Sequence, residues 1–206
     1  MERRSRNEMI AETRAKLIAA GRKAFAEKGY AEASMDDFTA EAGLTRGALY
    51  HHFGDKKGLL LAVIVQIDAE MSQRLSAISA KAATRWEGFI DENVNYLKMA
   101  LEPEIQRIVL RDGPSVLGDP SVWPTALNCV AMISSSIRAL QDDGVVRAMD
   151  AEAAARLITG ASTYAAQWIA NSPDPEATAA KAIPAFKTML EGLLVEADER
   201  VALVVG

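Results

Sequence analysis

The chain holds 206 residues, half of them hydrophobic, and its 23 Lys and Arg against 28 Asp and Glu give a formal net charge of −5. A single cysteine, Cys129, excludes an internal disulfide and every multi-cysteine metal motif. The longest apolar run, Leu59 to Val65, falls well short of the ~20 residues that span a bilayer, and no apolar stretch follows Arg3-Arg4, so no secretory or twin-arginine signal and no membrane partner are expected, and a cytoplasmic protein is the simplest reading.

Helical spacing of apolar residues runs through the chain, with no alternating strand pattern, internal repeat or low-complexity tract. The predicted architecture is all-α, with about nine helices. The first runs from about Asn7 to Lys28, with Ile10, Leu17, Gly21, Ala24 and Phe25 on one side, and Gly29 ends it. Ser34 then caps a short helix, with Asp37 three residues on completing a capping-box-like pair and Met35, Phe38 and Ala42 at helical spacing. Gly43 supplies the left-handed residue a helix end needs, Leu44 plugs the turn, and Thr45 caps a third helix from Arg46 to Phe53. Two short helices joined by such a turn are a helix-turn-helix, whose second helix lies in the DNA major groove.

Asp55 caps a fourth helix, starting at Lys56 and Lys57 and reaching about Ala80, long enough to act as a lever between two subdomains. The fifth spans about Thr84 to Leu101. Pro103 starts a sixth that Gly113-Pro114 ends, and Asp119 caps a seventh, with Pro120 at its first position, running to about Asp142. Asp150 caps an eighth to about Ala170. Asp174 caps a ninth to about Glu196, bent at Pro184. The expected division is 1–55 for a DNA-binding domain and 56–206 for an effector-binding and dimerisation domain.

Charge is distributed unevenly along this plan. Met1 to Leu60 carries 11 Lys and Arg against 9 Asp and Glu, a balance of +2; Leu61 onward carries 12 against 19, a balance of −7. Arg3, Arg4 and Arg6 form a basic arm, and Arg46, Lys56 and Lys57 cluster around the helix pair, where phosphates would be met.

The segment resembles the DNA-binding domain of TetR-family transcriptional regulators. The residues that carry the resemblance are Phe25-Ala26-Glu27-Lys28-Gly29-Tyr30, Ser34-Met35, Ala42-Gly43-Leu44, Gly47-Ala48-Leu49-Tyr50-His51-His52-Phe53, Lys56 and Leu59-Leu60. The match spans roughly Met9 to Val65; Phe38 and Thr39 replace the commoner Ile-Ala, Phe38 keeping the apolar plug and Thr39 adding a hydroxyl that can bond the preceding turn. Arg46 is the expected base reader, since a guanidinium can bond guanine O6 and N7 together. Gly47 allows close backbone approach, Ala48 can touch a thymine methyl, and Tyr50 and His51 reach bases or phosphates. The resemblance also implies DNA contacts for Tyr50 and His52 and a phosphate contact for Lys56, while Lys57 lies beside it and Ser34 and Thr45 can bond phosphates as well as cap. Leu49 and Phe53 are expected to pack on Phe25 and Phe38. The adjacent pair His51-His52 diverges by about 100° around a helix and chelates poorly, so no metal and no cofactor are expected.

A short reading helix contacts few bases, so helix-turn-helix proteins act as twofold dimers on palindromic operators. The expected dimer surface lies on helices eight and nine: Ala161 and Ala165 on the first, and Ile183, Phe186, Leu190 and Leu193 on the second, which otherwise close the monomer core. A mostly apolar effector pocket is expected from Phe89, Asn93, Tyr96, Arg111, Trp123, Cys129, Met132, Tyr164, Gln167 and Trp168, any of which can instead be plain core. The function that follows is a sequence-specific transcriptional regulator, a repressor released by a small hydrophobic or aromatic molecule. The alternative is a DNA-bound protein with no effector that acts through a protein partner. No set of nucleophile, base and orienter supports an enzyme.

Overall fold

In the computed structural model, residues 5–195 are described, and among them the chain forms nine α-helices. These are α1 (Arg6–Glu32), α2 (Met35–Ala42), α3 (Arg46–Phe53), α4 (Lys56–Ser79), α5 (Arg85–Met99), α6 (Gly113–Leu117), α7 (Pro124–Asp142), α8 (Ala151–Asn171) and α9 (Pro175–Glu191). Arg3 and Arg4 of the basic arm lie outside the described residues, as does Glu196. Two compact units emerge. The first takes the described residues up to Ala69 together with Pro103–Gly118; the second takes Glu70–Glu102 and the described residues from Asp119 onward. The first unit therefore extends beyond residue 55 and includes a segment distant in sequence, because Pro103–Gly118 packs on α1.

Leu17, Phe25, Phe38, Leu49, Leu59, Leu60, Ile64 and Ile108 are fully buried in the first unit. The Phe25 and Phe38 rings meet edge to face, 5.1 Å between centroids, which joins α1 to α2. Ile10, expected on this side, is exposed. Gly29 (φ 79°, ψ 168°) is non-helical and ends the long run of α1 as expected, and one further turn follows it to Glu32. The interruption survives because the distant segment satisfies both of its broken ends. Arg107 donates to the carbonyls of Ala26 (3.2 Å) and Glu27 (2.9 Å), and Asp112 accepts the Tyr30 N–H at 2.7 Å. Arg22 and Glu104 add a bidentate pair, at 2.7 and 2.8 Å. Asp112 is thus engaged at the end of α1.

That segment also departs from the expected helix six. Ile105–Asp112 is a π-helix in which the Gly113 N–H bonds the Ile108 carbonyl, and it runs on into α6. Gly113-Pro114 continues the helix because a proline in its first turn needs no N–H partner. Helix seven is corrected in the same way. Asp119 caps only a 3₁₀ turn, Pro120–Val122; Pro124 holds Trp123 extended (φ −71°, ψ 146°) and opens α7 itself.

In the second unit α8 packs on α7 and α9, and α5 on α8 and α9. The inward face of α8 is largely alanine (Ala151, Ala154, Ala155, Ala165, Ala166), which lets the helices approach closely. Helix α9 ends at Glu191, short of the expected Glu196, as the chain turns at Gly192. An isolated antiparallel bridge then pairs Val146 with Leu194, with Arg147 N–H on the Leu193 carbonyl (2.9 Å) and Val195 N–H on the Val145 carbonyl (3.1 Å). This tie between the α7–α8 loop and the end of α9 is too short to leave an alternating pattern in the sequence.

Candidate nucleic-acid interface

The reading helix is set by its neighbours. Ser34 and Asp37 form the reciprocal capping box: Asp37 N–H donates to Ser34 Oγ at 3.1 Å and Ser34 N–H to Asp37 Oδ2 at 2.9 Å. The Ser34 amide, with Lys28 and the Ser34 hydroxyl behind it, lowers the Asp37 carboxyl to about 2. Gly43 is left-handed (φ 63°, ψ 34°), and the Leu44 N–H returns to the Thr39 carbonyl at 2.9 Å. Thr39 is buried and donates to the Met35 carbonyl at 3.0 Å, the bond to the preceding turn that its hydroxyl allows. Thr45 Oγ1 accepts the Ala48 N–H at 3.3 Å and caps α3. The Thr45 hydroxyl accepts at the cap and still carries an O–H that can donate to an anion.

Along α3, Leu49 is fully buried while Arg46, Gly47, Tyr50 and His51 face solvent. These four lie at i, i+1, i+4 and i+5, one continuous outward face of a helix. Ala48 is half-buried beside them. His52 and Phe53 are half-buried too, so Phe53 is not the interior plug expected of it. Instead the Arg14 guanidinium lies 4.6 Å over the Phe53 ring and its Nη1 donates to the His52 carbonyl at 3.2 Å. That bond satisfies a carbonyl at the C-terminal end of α3 and pins the helix to α1. Burial lowers the His52 pKa from its ordinary value, and His51 and Arg14 push the same way.

At the start of α4, Asp55 Oδ1 accepts the Gly58 N–H at 2.7 Å, the expected cap. Gly58 itself is required by geometry: a Cβ there would sit 2.0 Å from the Phe53 carbonyl oxygen. Lys56 is held against α1, its Nζ 4.3 Å over the Tyr30 ring and 3.3 Å from the Ala31 carbonyl. Lys57 is exposed. Arg14 and Asp36 have no signal in the sequence, and Tyr30 stands there only among the residues of the family resemblance. Asp36 pairs with Arg46 through both carboxylate oxygens, Nε to Oδ1 at 2.6 Å and Nη2 to Oδ2. Arg14 and His52 lie 38 residues apart and Asp36 and Arg46 lie on different helices, so no local spacing announces either pair.

The expected effector residues do not all come together. Phe89 and Trp123 are buried, Asn93 is buried and donates to the Phe89 carbonyl of its own helix at 2.8 Å, and Tyr96 and Gln167 are half-buried. Cys129, Met132, Tyr164 and Trp168 are exposed, and Arg111 is an exposed residue of the first unit. The expected dimer residues differ in exposure within the single chain. Phe186 and Leu190 belong to the buried face of α9, and Ala165 to that of α8; only Ala161, Ile183 and Leu193 are partly open. The apolar groups that α8 shows to solvent are Leu157 (75% exposed), Tyr164 (71%) and Trp168, in line with Gly160 and Ala161, and Met189 stands open on α9. Helix α8 is apolar on two faces, and periodicity alone does not say which is the core.

A capped helix-turn-helix with an exposed reading face, joined to a body of packed helices, is the architecture of a bacterial transcriptional regulator. Residues 17–63 match the family model described as bacterial regulatory proteins of the tetR family, and residues 86–193 match the tetracyclin repressor-like C-terminal domain. The chain belongs to the TetR family of transcriptional regulators. A TetR-family regulator from Pectobacterium atrosepticum has a similar structure, 54% identical, covering 94% of this chain and 99% of that one with a TM-score of 0.86. The transcriptional repressor AcnR of Corynebacterium glutamicum is 31% identical over 100 residues, 48% of this chain and 52% of that protein. The transcriptional regulator CymR of Pseudomonas putida is 41% identical over 80 residues, 39% of each. This chain thus spans about half the length of the AcnR repressor it matches. No helix of the described residues is long and apolar enough to cross a membrane.

Proposed function

We propose that the protein is a cytoplasmic homodimer that binds a palindromic operator and represses transcription until a small molecule releases it. The observation that carries this reading is the outward face of α3, with Arg46, Gly47, Tyr50 and His51 open to solvent between two capped helix ends. Arg46 opens the reading helix, where residues of this motif contact base edges. Ser34, Thr45, Lys56 and Lys57 flank it with hydroxyl and ammonium donors for phosphates, and Tyr50, His51 and His52 extend the contact. The kinship with AcnR, itself a repressor, favours repression.

The effector site is assigned to the second unit, around Phe89, Asn93, Tyr96, Trp123 and Gln167. The indole Nε1 of Trp123 is buried and makes no hydrogen bond among the described residues. Such a group costs free energy until a partner reaches it, which suits an aromatic or hydrophobic guest carrying a hydrogen-bond acceptor. Release then requires that the guest bind the DNA-free form more tightly, by ~10⁴-fold to move a population from 1:99 to 99:1.

Selection of duplexes from a random pool by the purified protein tests the reading. A twofold-symmetric or near-symmetric site is expected, with Lys56→Ala weakening all sequences alike and lowering the salt slope by about 1. A pool that emerges without enrichment would overturn it.

A further inference from the structure

Arg46 does not stand alone on the reading face. Its guanidinium meets the Asp36 carboxylate edge to edge, through Nε to Oδ1 at 2.6 Å and through Nη2 to Oδ2. Both side chains are well exposed, 61% for Arg46 and 67% for Asp36. An exposed pair of this kind contributes little to folding stability. A carboxylate beside a surface that must meet phosphates also repels any duplex. Asp36 thus sits where it adds little to stability and opposes DNA affinity in general.

The geometry of the fork suggests what it does instead. A guanidinium carries five N–H donors in one plane. The Asp36 pair uses the side edge, Nε–H and one Nη2–H. The end edge, formed by Nη1 and the second Nη2–H, stays open, and two parallel N–H donors at that spacing match O6 and N7 of guanine. A free arginine at this position would have several rotatable bonds and would turn to a phosphate as readily as to a base. Held at its side edge, it is directed end-on.

We infer that Asp36 is a specificity-determining residue, a buttress from α2 that orients Arg46 so that its free edge reads one guanine in each half-site. The inference rests on the DNA-binding reading above. It makes Asp36 a positioning residue that acts through Arg46, and it makes the sign of its effect differ between the right sequence and the wrong one. Removing the carboxylate relieves repulsion from every duplex and lets Arg46 move to a phosphate. Affinity for unrelated DNA rises, while discrimination at one position per half-site falls.

The test uses the full chain and the site selected from random duplexes by the wild-type protein. Asp36→Ala, Asp36→Asn, Arg46→Ala and the double variant are titrated against that site, its single-base variants and an unrelated duplex, at several salt concentrations. Asp36→Asn keeps the shape of the side chain should the alanine variant fold poorly. The expected result is a roughly tenfold fall in the ratio of specific to non-specific affinity, confined to one guanine per half-site. The salt slope steepens by about 0.9 as Arg46 gains a phosphate. In the Arg46→Ala background, the Asp36 substitution leaves base preference unchanged. If the wild type selects a site and both single Asp36 variants keep its base preferences at every position, the buttress is overturned while the regulatory reading stands. If the wild type selects nothing, both fall together.

Discussion

The Asp112 carboxylate accepts the backbone N–H of Tyr30 at 2.7 Å, across 82 residues of chain and immediately after the left-handed Gly29. Helix α1 breaks there, and a broken helix leaves orphan amides on one side and orphan carbonyls on the other. Asp112 serves the first and Arg107 the second. Asp112→Ala therefore leaves the Tyr30 amide without its charged acceptor. The loss expected in urea denaturation is about 1–2 kcal/mol, with Asp112→Asn losing less. Equal midpoints for all three proteins would show that water replaces the carboxylate at no cost.

Gly58 carries a steric constraint that its neighbours do not. The Phe53 carbonyl comes so near that an added Cβ would stand 2.0 Å away, and this atom is backbone, not the movable end of a side chain. Gly58→Ala must push the end of α3 away from the start of α4. A stability loss of about 1–3 kcal/mol is expected, with a larger proportional loss of operator affinity because α3 itself is displaced. Gly160→Ala, at a position with open space around its Cβ, serves as the comparison for stability.

The helix-turn-helix was legible in sequence because each of its boundaries is a local event: Ser34 with Asp37, Gly43, Thr45 and Asp55 all act within a few residues. The body was legible only as a set of helices. Pro124 falls inside the span expected for helix seven, although a proline holds the residue before it extended and starts a helix well. The π-helix of Ile105–Asp112 has no local signature, since its register follows from packing on α1. The faces of α8 could not be told apart because alanines on one side and Leu157, Tyr164 and Trp168 on the other are both apolar. The Asp36–Arg46 pair escaped for a third reason: it joins two helices across a turn, where residue spacing carries no angular information.

His52 gives the fold a pH dependence of definite sign. Burial first, then His51 and Arg14, hold its imidazole below the ordinary value of 6.5. The unfolded chain therefore binds the proton more readily than the folded one. The His52 share of stability is full above pH 6.5 and is lost as pH drops through that value towards the lower folded one. His52→Gln should flatten this part of the profile in thermal melts taken between pH 7.5 and pH 5. Asp37, lowered to about 2, contributes elsewhere: its share is present above 3.8 and is lost only as pH falls towards 2. A variant His52→Gln with the wild-type slope would place the titration on another group.

Two variants, one on each of two neighbouring helices, should separate the interior of the protein from its partner surface. Phe186 is buried within its own chain, whereas Tyr164 and Leu157 stand open in one stripe of α8. If the stripe is the dimer surface, a charge there destroys association without touching the core. Leu157→Glu with Tyr164→Glu is expected to give a folded monomer in sedimentation, with native helical content. Its operator affinity falls steeply, since each reading helix then binds alone. Phe186→Ala should do the reverse. It opens a cavity and lowers stability by about 3–5 kcal/mol, yet the molecules that remain folded still associate, because the outward stripe is intact. A glutamate pair on the stripe that leaves the sedimentation coefficient unchanged would move the partner surface elsewhere, and Met189 on α9 is then the next apolar side chain to charge.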